Sequence, residues 1–296
     1  MPPLLSVPNV SEGRDAAALE AIGAAFSTGA RLLDRHFDPD HHRAVFSLAG
    51  EPGRLSDALL AGAAEAVERI DLRTSRGQHP HVGAIDVVPL VHLTEAERGA
   101  ACAEALVTAD RLAQELRLPV FLYGALAGGR MRAEIRRGGI AALAKRLAAR
   151  EIEPDFGPGR PHPSAGAVLV AARPPLVAFN VELAPPSHFG TAREIAAAIR
   201  EGGREGLPGL RAIAVELHAR DRAAQVSMNV DDPQALPLAE VVAAIARHAD
   251  VAVAEIVGLA PRAALEGFPA DLEIRGFDPA RQVIENALAS YVSSQP

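Results

Sequence analysis

Two histidines flank a proline in the stretch Gly77–Asp86, GQHPHVGAID, at the mouth of a strand-like run. In extended backbone His79 and His81 would share one face, because side chains alternate. Such a pair could bind a metal, move protons or decorate a surface. A zinc site wants three or four ligands at defined spacing. His36, His41, His42 and His92 could contribute, but there is no H-x-x-x-H and Cys102 is the only cysteine. Proton transfer suits the local chemistry better. A neutral imidazole, with a reference pKa of about 6.5, accepts a proton near neutral pH. Pro80 biases His79 toward extended conformations, and Gly83 and Ala84 would let a bulky ligand approach the backbone. His162, in the corner Pro161-His-Pro163, is a further candidate ring. Arg130, Arg132, Arg136 and Arg137 crowd RMRAEIRRGG. That stripe reads either as a solvated helix face or as a landing site for a ligand with several carboxylates.

The elements that would carry these groups repeat. Leu4–Pro8 reads as a strand, and Asp15 caps a helix whose buried stripe is Leu19, Ile22, Gly23 and Phe26. Arg31–Leu33 is a strand, DPDHHR a polar turn and AVFSLAG the next strand. Leu55–Ile70 is a helix with Leu59, Ala63, Val67 and Ile70 on one face, and Val82–Val91 a strand. The second half repeats this order: strand Pro175–Leu183, a helix opened by a Thr191–Glu194 capping box, strands Leu210–Leu217 and Ala223–Val230 around HARDR, helix Leu238–His248 and strand Val251–Leu259. Each half is β-α-β-β-α-β, the split β-α-β or ferredoxin-like plan of an α/β (α+β) protein. The first half adds a Thr94-capped helix to about Leu116, the strand PVFLYG and a helix near Arg132–Arg150. The Pro/Gly-dense loop EPDFGPGRPHPSAGA follows. The expected subdomains are 1–172 and 173–296, with a ligand cleft between them. Asn9 and Asn180 occupy equivalent strand ends, each able to bond a ligand or cap its own turn. Arg43 and Arg222 precede equivalent strands and could meet carboxylates or pair with Asp40 and Asp221. Asp86 could orient a histidine or close a turn.

Composition sets outer bounds. The chain has 296 residues, 49% of them hydrophobic, enough for two domains with sizeable cores. A formal charge of −7 argues against general phosphate-backbone binding, so no nucleic-acid partner is expected. No run approaches the ~18 apolar residues of a membrane span. MPPLLSVPNVSEGRD lacks the basic and long apolar regions of a secretion signal. The expectation is a cytoplasmic chain with no membrane partner.

VPNVSEGRD, DPDHHRAVFSLAG, HPHVGAIDVVPL, PVFLYG, PDFGP, HPSAGA and LVAFNVEL occur in the order found in glutamate formimidoyltransferases. These carry the formiminotransferase domain that animals fuse to a cyclodeaminase. The resemblance runs from about Val7 to Ala289 and implies a stand-alone form, two α/β subdomains with a folate tunnel between them, and a homodimer. It implies transfer of the formimino group from N-formimino-L-glutamate to N5 of tetrahydrofolate, the co-substrate (polyglutamylated or not), as in histidine breakdown, with no metal. His79 matches the family's catalytic histidine in HP-x-x-GA, while His81 falls where relatives often have Arg. The folate-contacting loop corresponds to Gly157, Pro158, Gly159, Arg160, Pro161, His162, Pro163, Ser164, Ala165 and Gly166. His42 departs from the Asn common in relatives at that turn, which bears on the amino-acid end. With Asn9, Arg43, Asp86, Asn180 and Arg222 it completes the substrate-binding candidates. Two alternatives stand beside this reading: folate-dependent formyl transfer, and a non-catalytic folate- or amino-acid-binding protein.

Overall fold

The computed structural model describes residues 3–74 and 80–293. The chain divides into two compact units between Pro174 and Pro175.

In the first unit β1 (Leu4–Ser6) and β2 (Asn9–Val10) form one interrupted strand, followed by α1 (Ala16–Phe26), β3 (Arg31–Asp38), β4 (Arg43–Gly50), α2 (Leu55–Arg69) and β5 (Ile85–Val91). Asp15 caps α1 by accepting from the amides of Ala17 and Ala18, as its position predicts. Then come α3 (Arg98–Glu115), β6 (Val120–Leu122), α4 (Arg132–Arg136), α5 (Gly139–Ala148) and β7 (Val168–Arg173). Among the described residues these strands form one seven-stranded sheet. β3, β4, the β1/β2 strand and β5 are neighbours in antiparallel order, and β7 and β6 extend the sheet in parallel beyond β5.

Alternation along the central strands fills two cores. Val88, Val120, Val168 and Val170 join Leu19, Phe26, Phe46, Leu59 and Leu112 beneath α1, α2 and α3. Val87, Phe121 and Leu169 point the other way, against Ile135, Leu143 and Leu147 of α4 and α5. Each large side chain so buried contributes about 1.5–3 kcal/mol relative to exposure.

The second unit holds β8 (Val177–Leu183), α6 (Phe189–Ile199), β9 (Leu210–Leu217), β10 (Ala223–Val230), α7 (Leu238–Ala246), β11 (Val251–Val257), α8 (Pro279–Gln282) and α9 (Ile284–Ser293). Its strands lie β11-β8-β10-β9, all antiparallel, the same arrangement as β5, β1/β2, β4 and β3. The two halves thus share element order and strand order, as their sequence patterns predict.

Three local expectations change. The helix near Arg132–Arg150 is two helices, because Gly138 and Gly139 adopt φ of +76° and +70° and break it. α6 begins at Phe189 with His188 as its cap, whose Nδ1 accepts from the Thr191 amide at 3.3 Å, so Thr191 is not the capping residue. β7 has no counterpart in the sequence reading: VLVAAR is apolar on both faces and shows no alternation, the signature of a buried parallel strand. Among the described residues no helix is long and apolar enough to cross a membrane, and no cluster of three or more His, Cys, Asp or Glu could hold a metal.

Candidate active site

Asn9, Val10, Ser11, His42, Arg43, His81 and Asp86 line one narrow recess in the first unit. Strand register explains the convergence. Val10 lies opposite Ala44 on one side and Ile85 on the other, while Asn9 lies opposite Val45 and Val87. Asp86 is therefore the extra residue of a bulge, and a bulge of this kind re-aims its side chain. Asn9, Arg43 and Asp86, far apart in sequence, meet at one end of the central strands.

The turn that supplies His42 and Arg43 is fixed from two sides. Asp38 Oδ1 accepts from the amides of Asp40 and His41 at 2.7 and 2.8 Å, and Arg14 Nε donates to Pro39 O at 2.9 Å. Gly13 lies flat against this turn. A Cβ there would stand 2.2 Å from Asp38 O and 2.7 Å from the Arg43 nitrogen. Glu12 Oε1 in turn accepts from the amides of Gly13, Arg14 and Asp15. SEGRD and DPDHHR are thus two halves of one corner.

His42 is buried and left-handed, with φ of +51°. Its Nδ1 accepts from the Gly13 amide at 3.2 Å and lies 3.4 Å from Glu12 Oε1. It cannot be both an acceptor and a protonated partner of Glu12. Burial lowers the ring's pKa, with Arg14 and His81 adding to the effect and Glu12 opposing it. The acceptor role wins, leaving a neutral ring with its proton on Nε2.

Asp86 is buried and takes two partners. Oδ1 accepts from the Val82 amide at 2.8 Å, and Oδ2 pairs with Arg136 Nη2 from α4. Through these two contacts it closes its own turn and holds an arginine. Arg43 lies beside this pair. Burial, then the charges of Arg136 and Arg132, pull its guanidinium down to about 9, with Asp86 and Tyr123 opposing. Arg132 stands over the Tyr123 ring at 5.6 Å. Asn9 Nδ2 donates to Val7 O at 2.8 Å, so it does cap its own turn, yet its Oδ1 is buried without a partner among the described residues.

The candidate folate loop joins this site through its end. Ala84 N donates to Ala165 O, Ala167 N to Val82 O and Leu72 N to Ser164 O. Gly166 has φ of +73°, and a Cβ on it would fall 2.1 Å from Val82 O. His162 and Gly166 exchange two backbone bonds, and His162 Nδ1 accepts from Ala165 N at 3.1 Å. Gly157, Gly159, Arg160 and Pro163 are exposed, Pro158, Pro161, His162 and Ser164 half-buried, and Ala165 and Gly166 buried. One expectation is corrected. A Cβ on Gly83 would meet Ala167 O at 2.0 Å, and Ala84 is fully buried. The small residues make room for the 164–167 backbone, not for a ligand.

His79 lies outside the described residues. Asn180 and Arg222 belong to the second unit and its own networks. Asn180 Nδ2 donates to Glu255 Oε2 at 2.9 Å, while Arg222 is exposed and pairs with Glu216. The arginine of that turn that reaches buried acid is Arg220, on Glu182. The arginine stripe divides: Arg130 binds Leu122 O and Asp155, Arg137 faces outward, and Arg132 and Arg136 turn toward the recess. Their charge was visible in sequence, but their direction was not.

Residues 4–173 match the family described as the formiminotransferase domain, N-terminal subdomain, and residues 178–268 that described as the formiminotransferase domain. The chain is 34% identical over 293 residues to a glutamate formimidoyltransferase of Streptococcus pyogenes serotype M1, covering 95% of this chain and 97% of that one. It is 32% identical over 285 residues to a glutamate formimidoyltransferase of Thermoplasma acidophilum, covering 92% and 93%. It is 36% identical over 278 residues to the formimidoyltransferase-cyclodeaminase of Rattus norvegicus, covering 88% of this chain and 50% of that protein. With both subdomain families matched in order and relatives similar over nearly their whole length, the chain belongs to the formiminotransferase family.

Proposed function

We propose that this enzyme moves the formimino group of N-formimino-L-glutamate to N5 of tetrahydrofolate, releasing L-glutamate and 5-formiminotetrahydrofolate. The observation that carries the reading is the junction in the first unit. There the HVGA segment is stitched to the end of the 157–166 loop beside a recess lined by Asn9, Arg43 and Asp86. A folate-contacting loop and a group of polar, cationic side chains suited to an amino-acid donor share one corner of the sheet.

The formimino carbon is an amidine-type electrophile. Attack by N5 gives a tetrahedral intermediate with a positively charged N5, which must lose its proton before the bond from carbon to the glutamate nitrogen breaks. His79 is assigned as the base that takes this proton and returns one to the departing nitrogen, a role worth about 10²–10⁴-fold. His81, two residues on, lines the recess. Holding donor and acceptor together supplies the remaining acceleration. The chemistry needs no covalent enzyme intermediate, and tetrahydrofolate serves as co-substrate. A cytoplasmic homodimer is part of the same reading.

The test is steady-state turnover of N-formimino-L-glutamate with tetrahydrofolate for wild type and His79→Ala, with folate affinity measured in parallel. Turnover lost at folate affinity within a few-fold supports the assignment. Wild-type folate binding with no transfer of either a formimino or a formyl group points instead to a binding protein.

A further inference from the structure

The short helix α4 is built to deliver two arginines to one place. Gly128 and Gly129 before it and Gly138 and Gly139 after it all have positive φ, so the chain leaves and rejoins the unit through two left-handed corners. Between them Arg132 and Arg136 are four residues apart, on one helix face. Ile135 is fully buried beneath the helix, and Arg146 donates to the carbonyls of Glu134 and Ile135, so the arginines are held before any ligand arrives.

We propose that Arg43, Arg132 and Arg136 form a carboxylate clamp for the amino-acid donor, with Asp86 as the positioning residue that orients Arg136. Asp86 engages Arg136 through Nη2, whereas Nε of the same guanidinium is buried without a hydrogen-bond partner among the described residues. Tyr123 Oη and Asn9 Oδ1, on residues that are 6% and 4% exposed, are likewise buried without partners among the described residues. The guanidinium nitrogen and the hydroxyl can donate to a ligand carboxylate and the amide oxygen can accept from a ligand amino group, and buried polar atoms in this state mark a place where a ligand completes the bonding. The like charges are crowded: Arg136 and Arg132 act against Arg43, and one carboxylate, Asp86, offsets them. An incoming carboxylate relieves that repulsion, and arginine forks suit its planar geometry. A dicarboxylic amino-acid derivative is the ligand class that fits.

This assignment rests on the formimino-donor reading, so its test includes a readout independent of turnover. L-Glutamate, which carries both carboxylates, is titrated calorimetrically into wild type, Arg132→Gln, Arg136→Lys and the double variant Asp86→Asn/Arg136→Gln, which removes the Asp86–Arg136 ion pair as a unit. Arg137→Gln, an outward-facing neighbour, is the control. The expected result is a loss of L-glutamate affinity of about 30-fold in the double variant, a smaller loss in the others and none in the control. The KM for the donor rises in parallel while the KM for folate stays within about 2-fold. L-Glutamate affinity unchanged in folded double variant, or no L-glutamate binding to wild type, overturns the clamp. Wild type that binds L-glutamate through these arginines but transfers no formimino group upholds the clamp and sinks the reaction.

Discussion

His42 Nδ1 accepts the backbone N–H of Gly13 at 3.2 Å, and that contact fixes which nitrogen of the ring carries the proton. The folded pKa is lowered from 6.5, chiefly by burial. The unfolded chain therefore binds the extra proton first as pH falls. The stabilisation is complete above about 6.5 and is lost as pH drops through that value toward the lower folded pKa. Glu12 opposes this shift, while Arg14 and His81 reinforce it. His42→Asn keeps a residue tolerant of the left-handed backbone and removes the titration. Its melting temperature should fall less steeply than wild type between about pH 7 and pH 5. Parallel curves for the two proteins would sink the idea.

Glu104 couples α3 to α2. Its Oε1 accepts from the Ser56 amide at 2.7 Å and its Oε2 from the Gly53 amide at 2.6 Å. The residue at the N-cap of α2, Arg54, provides no side-chain cap of its own. Glu104→Ala should destabilise the protein by about 2–3 kcal/mol, combining a lost cap with orphaned amides. Glu104→Gln, which retains one acceptor oxygen, should lose about half of that. Urea unfolding measures both, and KM values for the two substrates should not move.

Much of this architecture was legible because its signals are local. Leu19, Ile22 and Phe26 recur at helical spacing, and Asp15 stands where a cap belongs. The DPDHHR and HARDR turns each sit between strands of matching length. Asn9, His42, Arg43 and Asp86 could be picked out because polar groups at strand ends and hairpin turns stand against apolar runs. What sequence withheld depends on long-range geometry. The Asp86 bulge exists only through register with β2, and the direction of Arg132 and Arg136 only through the left-handed glycines around α4. Gly83 misled because a glycine that admits a ligand and one that admits another backbone look the same in sequence.

Two glycines should respond oppositely to the same change. A Cβ on Gly83 meets Ala167 O at 2.0 Å and Ile85 O at 2.6 Å, and neither backbone oxygen can yield without opening the junction to the 164–167 segment. Gly83→Ala should cost about 2–3 kcal/mol and weaken folate binding together with stability. A Cβ on Gly99, near the start of α3, meets nothing within 4 Å. Gly99→Ala should stabilise by about 0.5 kcal/mol through helix propensity alone. Chemical unfolding of both variants beside a folate titration checks the contrast. Gly83→Ala with wild-type stability would mean that the junction is loose and does not position the loop.

The equivalent asparagines of the two units are bonded differently. Asn180 donates to Glu255, whereas the equivalent Asn9 leaves Oδ1 without a partner among the described residues. Glu182, nearly buried, holds both Arg220 and Arg275, the latter through two nitrogens. Arg220 also lies 3.8 Å from Glu255. Such a network fixes geometry more than it adds net stability, because desolvation offsets much of the attraction. Removing one member is different. Glu182→Gln strands two cations beside each other, and with the arginines about one-third exposed the loss should be on the order of 2 kcal/mol. Adding Arg220→Gln should recover part of that loss, so that the double variant is more stable than the sum of the single changes predicts. A double-mutant cycle by urea unfolding measures the coupling. A value below about 0.5 kcal/mol would show that the two side chains act independently and that Glu182 is held by Arg275 alone.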